Sequence, residues 1–531
     1  MIRHTGILIF FLGVWGWLQA QTLNIQLKPR ASFGQPALQS FAWAKSGNAI
    51  LLLGGRVDGL HRRQPFASFV AAGRPASIWV IDPVAGQSWS SPLSALPAAL
   101  REQLQSTNMQ FIQRNNTLWL MGGYGFSESA QDHITFPLLT EINDVAGLIA
   151  AVQQGGNISA FFRYSEDERM AVTGGHAAYL ANQFMIVGGH RFEGRYNPMN
   201  GPSFVQTYTN ALRQFSIEYS AELPIVSNYS EWVDTAKFHR RDYNLVGQIL
   251  PGGAPAYTIY SGVFRTDLDL PYLNAITITE EEVYEEPEFL QYLNHYHCAV
   301  MPIYNQAEMR MHSVFFGGMA QYTRDANGLL VQDNNVPFVN AITDVQRGND
   351  GQLTEVPLPI NLSGLKGAGA EFIPASGTTI QHDEVIFLSG NEADSMLLGY
   401  LVGGIESDAP NVFWVNDGSQ SRADDGIIEV WYYPESPLSE APFSQEFQLR
   451  AYPCPVNDHV FVEFNLEKAG DVDLFLYSSS GKEVGKKKLR NQLPGPLKAQ
   501  FEFRKGLNPG LYLLKIESAG TIGTMRILVS E

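Results

Sequence analysis

Six times along the chain a short apolar run ends in a glycine pair or its close equivalent. The runs are "AILLLGG", "LWLMGG", "FMIVGG", "YTIYSG", "SVFFGG" and "VIFLSG". Measured at the second position (Gly55, Gly123, Gly189, Gly262, Gly318, Gly390), the steps are 68, 66, 73, 56 and 72 residues. A near-constant step of this size means one supersecondary unit used over and over, which few folds permit. Most copies have a second β-type run upstream and a turn between, as in "FAWAKSGNAILLLGG" and "MQFIQRNNTLWLMGG". Short polar turns such as Lys45-Ser46-Gly47-Asn48 and Gln113-Arg114-Asn115-Asn116 are hairpin chemistry. A third strand follows in "ASIWVIDP", "LNAITITEEEVY" and "GIIEVWYYP", and often a fourth in "GQSWSSPL" and "DGQLTEVPL".

Four strands per unit in six units predict an all-β fold, a six-bladed β-propeller over residues 21–434. Glycine at the end of the second strand permits positive φ and a close approach of neighbouring backbone. Serine stands at the first position in two copies and the second position is always glycine, so the second carries the stricter demand. The "YLVGGIES" run at Tyr400–Ser407 falls close after the sixth pair and is placed inside the sixth unit. Apolar residues, then Gly-Gly, then an aromatic-rich third strand, with tryptophans after the glycines at Trp79, Trp89 and Trp431, resemble the kelch motif over about residues 34–434.

Three insertions carry helical spacing: 92–105, 140–154 and 287–296. They would roof one face of the propeller or pad its edge.

Beyond Pro434, Pro437 and Pro442 the pattern changes, and residues 435–447 read as a linker. Residues 448–531 hold alternating strands, "VFVEFNL", "DVDLFLYS", "AQFEFR", "GLYLLKIES" and "TMRILVS", which predict a small Ig-like β-sandwich. Pro453, Pro455 and Val456, the "LYSSSGKEV" turn with Gly481, "LNPGLYLLKI" with Gly510 and Tyr512, and a final strand with Arg526 resemble the type A C-terminal sorting domain of the type IX secretion system of Bacteroidota. Cys454 stands where that family usually has asparagine. The resemblance implies that an outer-membrane translocon recognises this domain, which is then usually removed.

The first 20 residues have Arg3 and His4 at the head, an apolar run from Ile7 to Leu18 and a small Ala20, the pattern of a secretory signal peptide. That run is too short to span a bilayer. No later segment is long and apolar enough to do so, so the expected destination is the medium or the outer cell surface, by way of the periplasm. The net charge of −17 is uneven: residues 446–531 carry +2 and residues 21–445 carry −20. So acidic a body argues against nucleic acid and anionic membrane as partners. Two cysteines, Cys298 and Cys454, lie in different predicted domains and form no disulfide framework.

No catalytic signature stands out: no Gly-x-Ser-x-Gly elbow, no His-Glu-x-x-His, no sialidase Asp-box and no phosphate loop at any glycine pair. "NHYHCAV" places His295 and His297 two apart, on one face if the segment is a strand, but without a third ligand of obvious spacing. No metal and no cofactor are expected. Aligning the units brings His176, Arg241 and His297 to the start of the first, innermost strands, and His190 and Arg191 just past a glycine pair. With His295 these form the candidate ligand face. The expected function is non-catalytic binding of a glycan or a protein. The alternative is a carbohydrate-active enzyme resembling the sialic-acid mutarotases, also kelch propellers.

Overall fold

The computed structural model describes residues 23–434, apart from 65, 198–202 and 326, and residues 449–529, apart from 453–458, 467, 479–481, 503–509 and 519–520. The chain divides into two compact units, Met1–Tyr433 and Pro434–Glu531.

The larger unit contains six main antiparallel sheets among the described residues. Sheet one runs Ala42–Ser46, Ala49–Leu53, Ser77–Asp82, Gln87–Pro92 in consecutive neighbour order. Sheets two, three and four repeat that meander, opening with Gln110–Arg114, His176–Leu180 and Asn244–Ile249. Sheet five opens with Ala299–Asn305 and gains a fifth strand, Ile386–Leu388, parallel to that opening strand. Sheet six is ordered Ile25–Pro29, Ile427–Tyr432, Met396–Val402, Glu371–Pro374, so the N-terminal strand closes the sheet built from the last residues of the unit. The strand Met396–Val402 runs into Gly403-Gly404. This corrects the sequence reading, which took Ser389-Gly390 as the sixth pair. Gly390 follows the added strand of sheet five, and an apolar tripeptide before a glycine looks the same in sequence whichever sheet it joins.

The glycine pairs sit where successive sheets meet. The second residue of each pair donates its N–H to a backbone carbonyl entering the next sheet: Gly55 to Ser106, Gly123 to Val172, Gly189 to Arg240, Gly262 to His295, Gly318 to Lys366 and Gly404 to Leu38, at 2.7–3.4 Å. The last of these returns to sheet one. First positions have φ of 53–66° and second positions 79–103°. The former lie in the left-handed basin that a serine tolerates, and Ser261 occupies it at 58°; the latter lie outside it, where only glycine is comfortable.

The core follows the sheets. Leu51, Val80, Leu118 and Leu120 pack with two helices, Ala98–Gln103 and Val145–Gln153. The second helix starts at Asp144, whose side chain accepts from Gly147 N at 2.8 Å. It buries Val145, Leu148, Ile149 and Val152 and pads sheets one and two. The third expected helix, 287–296, is irregular. Tyr292 N and Leu293 N donate to the Glu355 carboxylate and Gln291 N to Leu273 O, so tertiary partners take the donors a helix would have used.

In the smaller unit, three strands (Arg450–Tyr452, His459–Leu466, Gly495–Glu502) form one sheet, and four (Gly470–Ser478, Glu483–Gln492, Gly510–Ser518, Thr521–Val529) form another. Alternate residues Val460, Val462, Phe464 and Leu466 share one core with Leu474, Leu514 and Ile527. Tyr512 is buried there, Gly510 opens its strand, and Arg526 pairs with Leu513. Pro453, Pro455, Val456 and Gly481 lie outside the described residues.

Candidate functional site

Connections within the sheets are unequal. Between first and second strands, sheets one, two and three spend only Gly47-Asn48, Asn115-Asn116 and Ala181-Asn182. Between second and third strands the chain inserts 54–76, 122–137, 188–210, 261–274, 317–340 and 403–426. Four of these insertions fold into further strands. They are the hairpins Tyr124–Ser127/Asp132–Thr135, His190–Gly194/Phe204–Tyr208 and Tyr322–Arg324/Leu330–Gln332, and the pair Ile405–Ser407/Ser421–Ala423. Residues of all six insertions line one cavity of about 620 Å3.

Its floor is a closed backbone ring. Asn108 N donates to Ser40 O (3.1 Å), Gly174 to Asn108 (3.3 Å), Asp242 to Gly174 (2.9 Å), His297 to Asp242 (2.9 Å), Gly369 to His297 (2.9 Å) and Ser40 to Gly369 (2.8 Å). Each sheet contributes the residue two places before its first strand. Five of the six (Ser40, Asn108, Gly174, Asp242 and Gly369) have φ of 48–67°, and all five are Gly, Asn, Asp or Ser, which tolerate that basin best; the sixth is His297. The sequence reading missed this ring, although Ser, Asn, Gly, Asp, His and Gly at steps of 68, 66, 68, 55 and 72 were there to find.

Above the floor, in sheets one to four, the residue after the glycine pair pairs with the residue before the ring position. Gln39 bridges to Arg56, Thr107 to Tyr124, Thr173 to His190 and Arg241 to Val263. These put Arg56, Tyr124, His190 and Arg241 in the walls. Arg56 is clamped by Asp58 and lies 5.2 Å from the Phe69 ring. Arg241 donates to Tyr208 Oη and pairs with Asp242 at 3.4 Å. His190 Nδ1 meets the Gln206 amide at 2.6 Å; burial, and then Arg241, push its pKa well down. Aromatic residues close the upper wall. His61 stacks on Phe69 at 5.0 Å and meets Tyr196 and Phe413 edge-on. Burial lowers its pKa to about 4.

A second cavity of about 570 Å3 lies on the far side of the floor, and Ser40, Asn108, Asp242 and His297 line both. Two contacts cross this neck: Asn108 Nδ2 to Asp242 Oδ1 at 3.4 Å, and the His176 and His297 rings, edge-on at 5.1 Å. His297 Nε2 lies 3.2 Å from Glu371 Oε1. Burial opposes charge on His297, but Glu371 and Asp242 outweigh it and its pKa is raised. His176 bonds Tyr243 O at 2.8 Å, and burial with the neighbouring His297 lowers its pKa to about 3. Burial, partly offset by Arg241 and His297, raises the pKa of Asp242.

Of the expected ligand face, His190, Arg241 and His297 line the upper cavity, and His176 lines the lower one beside His297. Arg191 faces away, paired with Glu168 and Glu193, because its strand sends alternate side chains to opposite faces. His295 is fully buried, with Nε2 bonded to Gln291 O and Nδ1 accepting from Gln321 N. The two histidines of "NHYHCAV" do not share a partner, because that segment precedes the strand instead of lying in it. No group of three metal-ligating side chains occurs among the described residues.

Distant likenesses to solved structures exist. A fungal alcohol oxidase of the AA5 family in complex with copper is 9% identical, over 94% of this chain and 98% of that one, with a TM-score of 0.37. YjhT is 11% identical, over 74% of this chain and 95% of that one, with a TM-score of 0.42. No curated protein matches the chain. Residues 450–530 match the family described as the secretion system C-terminal sorting domain, and this part of the chain is a type IX secretion sorting domain.

Proposed function

We propose that residues 21–434 form a six-bladed, kelch-like propeller that binds a carbohydrate in the cavity above the backbone ring. The sorting domain directs the protein out of the cell or onto its surface. Five four-stranded meanders, one of them with an added strand, a sixth sheet completed by the N-terminal strand, and hydrogen bonds from each sheet to the next and from the last to the first support the propeller.

The observation that carries the ligand class is the lining of the cavity. Its aromatic residues (Phe69, Tyr196, Phe264, Phe413) stand over a polar floor and wall (Asn108, Arg241, Asp242, Gln206). A sugar presents an apolar C–H face and a rim of hydroxyls, and this arrangement answers both. A volume of about 620 Å3 suits a small ligand. A protein partner would need on the order of 800 Å2 of surface on each side.

The mature full-length protein should bind a defined subset of a glycan array. An array without a single specific signal would refute the carbohydrate reading. A second reading, catalysis on the bound sugar, draws on one observation: His297 in the floor is backed by Glu371 and flanked by Asp242, a group built to hold a proton. Proton NMR of the anomeric region separates the two. A sugar left unchanged by catalytic amounts of protein marks a binding protein; new or more rapidly exchanging anomeric signals mark an enzyme.

A further inference from the structure

Trp414 stands apart from the other aromatic residues of the cavity. Tyr124 packs edge-on against Phe69 and Phe192, well inside the wall. Trp414 lines the same cavity but is 56% exposed at its margin. Leaving an indole half in water forgoes burial energy, and large exposed aromatic groups beside a concave site are where ligands dock.

The indole is not at a loose tip. Asn416 Nδ2 donates to Leu60 O at 2.7 Å and His61 O at 3.2 Å, tying the segment to the sheet-one insertion. Asn411 Nδ2 donates to Asp333 Oδ2 at 2.7 Å, and Phe338 N to Pro410 O at 2.9 Å, tying it to the sheet-five insertion. The Arg63 guanidinium lies 4.1 Å from the ring centroid, and Phe413 meets the ring edge-on at 5.4 Å. Two neighbouring insertions therefore hold an exposed aromatic surface in place, continuous with the cavity through Phe413. Preorganised aromatic surface of this kind costs little ordering when a ligand arrives.

We propose that Trp414 is the platform of an outer subsite, and that the ligand is an oligosaccharide whose chain leaves the cavity across this indole. The proposal rests on the carbohydrate reading of the cavity. The polar floor grips one end of the chain through its hydroxyls, and a pyranose ring further along stacks its C–H face on Trp414. Affinity then grows with chain length beyond what the cavity itself encloses.

The test uses the mature full-length protein and malto-, xylo-, galacto- and chito-oligosaccharide series from one to six sugars, followed by calorimetry and tryptophan fluorescence. In the series that binds, wild-type affinity should rise with length, and acrylamide quenching should fall as the chain covers Trp414. W414A should lower hexasaccharide affinity by about tenfold and leave the monosaccharide within about twofold, while W414F keeps most of the length dependence. If W414A binds every length as wild type does, or weakens all lengths equally, the outer subsite is overturned and the cavity reading stands. If wild type binds no member of any series, the carbohydrate reading falls and the subsite falls with it.

Discussion

At Gly122 an added Cβ would lie 1.9 Å from the Val172 carbonyl oxygen, on backbone with φ of 65°. At Gly86 φ is also 65°, but the space is open. The pair separates conformational strain from close approach. Gly86→Ala should cost only the left-handed penalty, about 1–2 kcal/mol. Gly122→Ala adds overpacking of about 1–3 kcal/mol, for about 2–5 kcal/mol in all. Urea denaturation midpoints of the two variants check this, and equal losses would contradict the account. A second prediction concerns the neck. Because the folded-state pKa of His297 is raised, its contribution to stability is complete below about pH 6.5 and is lost as pH rises through the folded value. Imidazole NMR should place the His297 midpoint above 6.5 and find His176 neutral down to about pH 4. Glu371→Gln should drop the His297 midpoint, since burial would then act with less opposition. At this scale the sequence revealed that glycine was required and which histidines lay at strand starts. It did not reveal that His297 meets Glu371, 74 positions later in the chain, because that pairing is made across two sheets.

Among elements, the strand Ile25–Pro29 has the most to do for its length. It pairs along its whole run with Ile427–Tyr432, and Leu23 and Ile25 are buried in the core of sheets five and six. Deleting residues 21–30 should cost about 3–6 kcal/mol from those two side chains at about 1.5–3 kcal/mol each. Thermal denaturation of the truncated protein checks it, and an unchanged Tm would mean that the sheet closes without this strand. Strand identity was legible in the sequence wherever a two-residue turn joined two apolar runs, as at Gly47-Asn48. It failed where partners lay elsewhere. Ile386–Leu388 reads as a blade strand yet adds to sheet five, and 287–296 reads as a helix yet gives its donors to Glu355 and Leu273. Local periodicity reports which residues seek burial, not which neighbour provides it.

For the whole molecule, export belongs to the sorting domain, and the proposed recognition of a sugar to the other unit. Removing residues 446–531 should trap the protein in the periplasm, as cell fractionation would show; normal export of the truncated protein would contradict the sorting role. The sequence by itself determined the repeated four-stranded unit, the acidic body and the sorting domain. Each is written in local patterns: apolar runs, turn residues, glycines and short motifs in fixed order. Only the tertiary structure decided which glycine pair ends the sixth unit, how one residue from each sheet closes the floor by backbone hydrogen bonds, and that His190, Arg241 and His297 reach one cavity while Arg191 and His295 do not. Those facts depend on six sheets meeting at a common centre, and residues dozens of positions apart become neighbours there only once the chain has closed on itself.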